Sequence, residues 1–192
     1  MVLLAIGHAM TDYRRSQFGG GYPFFTVVTH RRRPFLVDDL SRGCLRAACR
    51  RVRQDRPFEV IASCLLPDHL HCVWRLPEGD NDFSLQWMLI KKGFTRRYLQ
   101  AEGHELRQSL SRQRKRERGL WQRRFWEHQI RDVDDLQKHV DYIHYNPVKH
   151  ELVDAVEDWP WSTYHKFVRD GFYAHKALSP HDGDFGETLA GE

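Results

Sequence analysis

Apolar residues along this 192-residue chain follow two rhythms. Three short runs, Tyr22–His30 (YPFFTVVTH), Phe58–Leu66 (FEVIASCLL) and His69–Leu76 (HLHCVWRL), are rich in β-branched and aromatic residues and predict strands. Between the first two, Leu40, Cys44, Ala47, Ala48 and Val52 recur near helical spacing, which predicts a helix capped by Asp38 and running to about Arg53. Pro67-Asp68 is a tight connection, so the second and third strands are expected to form an antiparallel hairpin. Pro77-Glu78-Gly79-Asp80 reads as a turn. Asp82 then caps a second helix with the apolar stripe Phe83, Trp87, Ile90, Phe94 and Tyr98, and with Lys91, Lys92, Arg96 and Arg97 largely on its wetter side. Residues 101–119 are polar and basic without a stripe, as in a loop or an exposed helix end. Apolar alternation resumes over Leu120–Arg131, with a fourth strand around Phe125–Ile130. A third helix is predicted from Asp134 to about Asn146, stopped by Pro147. Trp159, Pro160 and Trp161 open a C-terminal segment that packs its aromatics on the body. The order β-α-β-β-α-β predicts an α+β, ferredoxin-like fold: a four-stranded antiparallel sheet with helices on one face, followed by one more helix.

The length suits one domain over residues 13–168, with an extension at 1–12 and an acidic tail at 169–192. Hydrophobic residues make up 41% of the chain, enough for a core. The net charge of +4 is unevenly spread. Arg107–Arg118 carries six basic residues against Glu117, whereas Asp170–Glu192 carries five acids against Lys176. A basic stretch beside an acidic tail often accompanies nucleic-acid binding. The cysteines Cys44, Cys49, Cys64 and Cys72 form no CxxC pair, so free buried thiols in a reducing compartment are expected. The N-terminus MVLLAIGHAM lacks a basic region and a long apolar run, which reads as neither signal peptide nor membrane span. A cytoplasmic protein without a membrane partner is the expectation.

The chemistry begins with His69 and His71. A strand sends alternate side chains to one face, so the two imidazoles project together and supply half of a metal site. Tyr142 and Asn146 lie four residues apart on the third helix and share a face. A tyrosine oxygen can attack a phosphodiester and hold the cut end as a phosphotyrosine. An amide oxygen can complete a weak site for a divalent cation, Mg²⁺ or Mn²⁺, the histidines leaning toward Mn²⁺. Tyr145 competes with Tyr142 as nucleophile on pattern alone. His139, one turn before Tyr142, is expected to face solvent, the alternatives being a ligand or a group that polarises the phenol. Glu127 and His128 either enter the site or serve as hydrogen-bonded structural groups.

Three stretches, LPDHLHCVWRLPEGDNDFS, LWQRRFWEHQIRD and HVDYIHYNPVKHELV, resemble the REP-associated tyrosine transposases of the single-tyrosine HUH transposase superfamily. The resemblance covers roughly Tyr13 to Val168. It implies that His69 and His71 are the HUH pair, that Tyr142 is the nucleophile and that Asn146 stands at the third metal ligand. It also implies the ferredoxin-like fold, and cleavage of single-stranded DNA beside hairpins of repetitive extragenic palindromes, leaving a 5′-phosphotyrosine and a free 3′-hydroxyl. The basic insertion at about 101–119 and the N-terminal extension look longer than the family's usual pattern. Phosphate contacts need only charge and reach, which nominates Arg112, Arg114, Lys115, Arg116, Arg123 and Arg124 for DNA binding, the last two beside Trp126. The enzyme would work as a monomer or a homodimer. Two other readings compete: a domesticated protein that binds hairpins without cutting them, and a rolling-circle replication initiator or relaxase, which shares the histidine pair.

Overall fold

The computed structural model describes residues 21–114 and 118–173, apart from the side chain of Arg112. The expected extension at 1–12, Lys115, Arg116 and the tail from 174 onward lie outside the described residues. The elements are β1 (Pro23–Val28), α1 (Asp39–Asp55), β2 (Glu59–Leu65), β3 (His69–Arg75), α2 (Phe83–Gln100), a short α3 (Leu110–Arg114), β4 (Trp126–Gln129), α4 (Val133–Lys149) and α5 (Tyr164–Arg169). The four strands form one antiparallel sheet in the order β2-β3-β1-β4. This is the expected ferredoxin-like arrangement.

Every residue of β1 is buried, because this strand is central and covered on both faces. One face carries Phe25, Val27, Cys72 and Trp74, and packs on α1 and α2 through Ala48, Val52, Trp87, Ile90 and Phe94. Its centre is an aromatic stack, with Trp74 3.9 Å from Phe58 and 4.5 Å from Trp87. The other face carries Phe24, Ala62, Cys64 and Val73, and packs on Leu136, Val140, Tyr142 and Ile143 of α4. The two crossover helices therefore share one face, and the following helix covers the opposite one.

Local chemistry sets the boundaries. The Asp38 carboxylate accepts from Ser41 N at 2.6 Å and starts α1 as expected. Asp82 stands at the N-cap of α2 but makes no capping bond; its carboxylate pairs with Arg56 at 3.2 Å instead. Gly79 supplies the positive φ of 77° in the turn after β3, which Asp80 N closes on Pro77 O. The segment at 101–119, expected to be a loop or exposed helix end, contains the single-turn α3.

α4 departs from the sequence reading at both ends. It starts at Val133, one residue before the expected Asp134, because Asp132 caps it, accepting from Asp135 N at 2.8 Å. It also runs through Pro147 to Lys149. Proline removes one donor, yet Asn146 O and Pro147 O still accept from His150 N and Leu152 N. Asn146 and Pro147 are both buried, so tertiary packing carries the last turn past a residue that backbone preference alone would use as a stop.

The segment at 159–163 covers the free edge of β2. Leu65 N donates to Trp161 O, Ser63 N to Thr163 Oγ1, and Trp159 Nε1 to Leu65 O. The packed body continues past Val168: Tyr173 is buried in the α4-side core, and its hydroxyl donates to Asp141 at 2.8 Å. The four cysteines are free. Among the described residues no helix is long and apolar enough to cross a membrane.

Candidate active site

β3 pairs with β1 so that His69 lies opposite Val28 and His71 opposite Thr26. The two imidazoles project to the α4 side, with ring centroids 4.7 Å apart. Each is oriented through Nδ1. His69 Nδ1 lies 2.6 Å from the Asp68 carboxylate, and His71 Nδ1 lies 2.9 Å from Thr26 Oγ1. This is how metal-ligating histidines are held: a partner on one nitrogen fixes the ring and leaves the other nitrogen to coordinate. Burial alone would raise the Asp68 carboxyl, but the hydrogen bond and charge of His69, with Arg32 at 3.1 Å, hold it below its ordinary value.

α4 brings Tyr142 onto this pair, and Asn146 follows one turn later, also buried. The Tyr142 ring is 5.2 Å from that of His71 and nearly perpendicular to it. Tyr145 instead packs, half-buried, at the margin of the α4-side core. His69 Nε2 and both amide atoms of Asn146 are buried with no hydrogen-bond partner. Buried polar atoms are normally satisfied, so this group of orphans marks a place built for a ligand. Nitrogen and oxygen donors of this kind fit a borderline or hard divalent cation. His69, His71, Tyr142 and Asn146 are all at most 1% exposed.

Phe24 is the floor of the site. It is fully buried and stacks on His71 at 5.6 Å, while touching His139 at 4.9 Å and Tyr142 at 6.1 Å. In the sequence it reads only as a strand residue. Thr26, Asp68 and Lys149 likewise join the site only in the folded chain. Asp68 carries a sequence signal, a carboxylate directly before the first histidine. So does Lys149, seven residues after Tyr142 and therefore on its helix face.

His139 does not face solvent. It is fully buried, with Nδ1 donating to Asp135 O at 2.8 Å, and burial holds its pKa below the ordinary value. His128 also lies on this face, with Nε2 3.0 Å from Asp135 Oδ2, whereas Glu127 pairs opposite Phe25, points to the α2 side and is exposed. His128, Asp135 and His139 bring ligand atoms within 4.8 Å of one another. Their imidazoles are nearly parallel, however, at 10° and 4.7 Å, whereas an ion shared by two imidazoles lies in the plane of both. The Asp135 carboxylate also accepts from Arg131 N and Nε. We read this trio as an anchor that ties β4 to the start of α4.

The nominated DNA-binding residues separate. Arg114, Arg123 and Arg124 are exposed. Arg123 borders a groove of about 820 Å³ on the α1/α2 side of the sheet, together with Arg51, Lys91, Lys92, Arg96 and Arg118. The groove floor includes Trp87 and Phe125. Burial lowers Lys91 to about 8, and its Nζ donates to Gln122 O at 3.0 Å. This concentration of charge comes from two helices and a loop.

A ferredoxin-like sheet with paired histidines facing a helix-borne tyrosine defines a class, and comparison with known proteins agrees. The family model described as "Transposase IS200 like" matches residues 21–146, and the chain belongs to this transposase family. Its curated relatives place it among the REP-associated tyrosine transposases. One, from Escherichia coli K12, carries that name and is 45% identical over 185 residues, covering 95% of this chain and 98% of its own length. A Haemophilus influenzae relative provisionally given the same name is 44% identical over 166 residues, 85% of this chain and 91% of its own. A solved structure of a REP-associated tyrosine transposase bound to a REP hairpin superposes with a TM-score of 0.65 at 44% identity, covering 84% of this chain and 87% of that one.

Proposed function

We propose that this transposase cuts and rejoins single-stranded DNA beside hairpins of repetitive extragenic palindromes, through a covalent 5′-phosphotyrosine on Tyr142. The observation that carries the reading is the buried Tyr142 ring packed against the His69–His71 pair, with Asn146 one turn further along the same buried helix face. Tyr142 Oη attacks the scissile phosphorus, an Oη–P bond forms, and the 3′-oxygen departs as a free hydroxyl. A second strand's 3′-hydroxyl reverses the exchange, so the phosphodiester is conserved and rejoining needs no nucleotide cofactor.

His69, His71 and Asn146 would hold a divalent cation, Mg²⁺ or Mn²⁺, and the buried, unsatisfied His69 Nε2 and Asn146 amide atoms fit one. Such an ion supplies Lewis-acid polarisation and orientation of the phosphate. Asp68 and Thr26 fix the two imidazoles, and Phe24 sets the distance between the histidines and the nucleophile. The hairpin backbone would run along the basic groove that Arg123 borders, with Arg124 the next residue and Arg112, Arg114, Lys115 and Arg116 in the preceding insertion. The solved relative bound to a REP hairpin supports that choice of partner. A DNA substrate of this kind would be met in the cytoplasm.

The test is incubation with a labelled hairpin oligonucleotide carrying single-stranded flanks, with Mg²⁺ or Mn²⁺. A covalent protein–DNA adduct with a released 3′-hydroxyl fragment is expected. Tight hairpin binding without cleavage in either metal would contradict the reading.

A further inference from the structure

A charged side chain lies beside the Tyr142 hydroxyl. Tyr142, Asn146 and Lys149 occupy positions i, i+4 and i+7 of α4 and therefore line one face. The Lys149 ammonium lies 3.4 Å from the Tyr142 hydroxyl and 5.0 Å from the centre of its ring. A lysine in the last turn of a helix ordinarily serves the helix dipole or extends into water. Here the stem folds back along the helix, and the head rests on the side chain whose oxygen reacts. The contact exists although Lys149 is otherwise exposed, so it is not forced by burial.

We infer that Lys149 is a catalytic residue: its ammonium donates to Tyr142 Oη and stabilises the negative charge that this oxygen carries in both halves of the reaction. The inference rests on Tyr142 being the nucleophile. In cleavage, the phenolic proton passes to solvent, the Oη–P bond forms, the P–O3′ bond breaks, and the 3′-oxygen takes a proton from solvent. In rejoining, a 3′-hydroxyl attacks phosphorus and loses its proton, the P–Oη bond breaks, and Tyr142 departs as a phenolate that regains a proton from solvent. Charge is concentrated on Oη at the start of the first step and at the end of the second. A fixed cation beside that oxygen stabilises the transition states of both, whereas it gains little from the neutral phenol or the phosphodiester. A hydrogen bond of 3.4 Å is long for a resting contact, and catalytic contacts of this kind commonly shorten in the substrate complex.

His71 also borders the Tyr142 ring, but its Nδ1 is engaged by Thr26 and it belongs to the cation-binding set. The two roles are thereby divided: the histidine side of the site faces the phosphate, and the lysine faces the attacking oxygen.

The test compares Lys149→Met and Lys149→Arg with the unmodified enzyme, under single turnover on the labelled hairpin oligonucleotide. Lys149→Met should bind the hairpin normally and form adduct about 10²- to 10³-fold more slowly, as for loss of one donor to a developing oxyanion. Resolution of a preformed adduct by an added 3′-hydroxyl strand should slow similarly. Lys149→Arg should recover most of the rate, because the charge is retained. Lys149→Ala with added propylamine should regain adduct formation in a concentration-dependent way, a readout that a merely structural lysine would not move. Adduct formation at the unmodified rate in Lys149→Met overturns the inference, as does a loss of rate matched by equal losses of hairpin affinity and thermal stability with no rescue by Arg or amine. If Tyr142→Phe still forms adduct, the underlying assignment of the nucleophile fails instead, so the two failures are distinguishable.

Discussion

Asp68→Asn removes the charge that holds the first histidine while preserving side-chain shape. In the folded protein the Asp68 carboxylate sits 2.6 Å from His69 Nδ1 and is itself buttressed by Arg32 at 3.1 Å. The carboxylate fixes the tautomer that presents Nε2 to the site and makes that nitrogen a better donor. Losing such a partner typically weakens metal binding by about 10- to 100-fold, or about 1.4–2.7 kcal/mol. The asparagine oxygen still accepts a hydrogen bond, so the effect should fall nearer the lower figure, and Asp68→Ala nearer the upper. The assay is a Mn²⁺ titration of adduct formation at saturating hairpin. The half-saturating metal concentration should rise about tenfold in Asp68→Asn, with the rate at saturating metal nearly restored. An unchanged metal requirement, or a rate defect that no metal concentration repairs, would refute the role given to Asp68.

Three further outcomes are expected. Phe24→Leu, beneath the histidines and Tyr142, should cost only about 1 kcal/mol in thermal or denaturant unfolding, yet reduce adduct formation well beyond that loss, because the spacing of His71 and Tyr142 is no longer fixed. Burial depresses His144 to about 3, so it stays neutral when folded but protonates near 6.5 when unfolded. The unfolded state therefore binds more protons between these values, and stability falls as pH drops from about 6.5 toward 3, by at most about 4–5 kcal/mol; His144→Asn should flatten that slope in pH-dependent melting. Replacing Lys92 and Arg96 with Gln should weaken hairpin binding and reduce its salt slope by about one for each phosphate no longer neutralised, and affinity should decline as pH rises through about 8 where Lys91 deprotonates, but not in Lys91→Arg.

The succession of strands and helices and the histidine pair are readable from sequence because both rest on short-range periodicity. The β-branched runs and the Pro67-Asp68 connection specify the hairpin, and alternation alone places His69 and His71 on one face. The family resemblance supplies the link between that face and the helix of Tyr142. What stays hidden depends on interactions between distant parts of the chain. The end of α4 looks like a stop at Pro147, since the burial that sustains its last turn comes from the sheet. His139 looks like a surface histidine because its partner carboxylate, Asp135, and its neighbour His128 are brought together only when β4 meets the start of α4. The cations on the wet side of α2, Arg118 and Arg123 are each visible in the sequence, but their convergence with Arg51 of α1 on one groove is not, because it depends on how distant segments pack.

The most direct measurement is covalent capture of the labelled hairpin strand by the enzyme, by Tyr142→Phe and by Tyr145→Phe, in the presence of Mn²⁺. The account predicts an adduct with the unmodified protein and with Tyr145→Phe, and none with Tyr142→Phe, all three binding the hairpin equally. An adduct that persists in Tyr142→Phe, or one that disappears only in Tyr145→Phe, would contradict it.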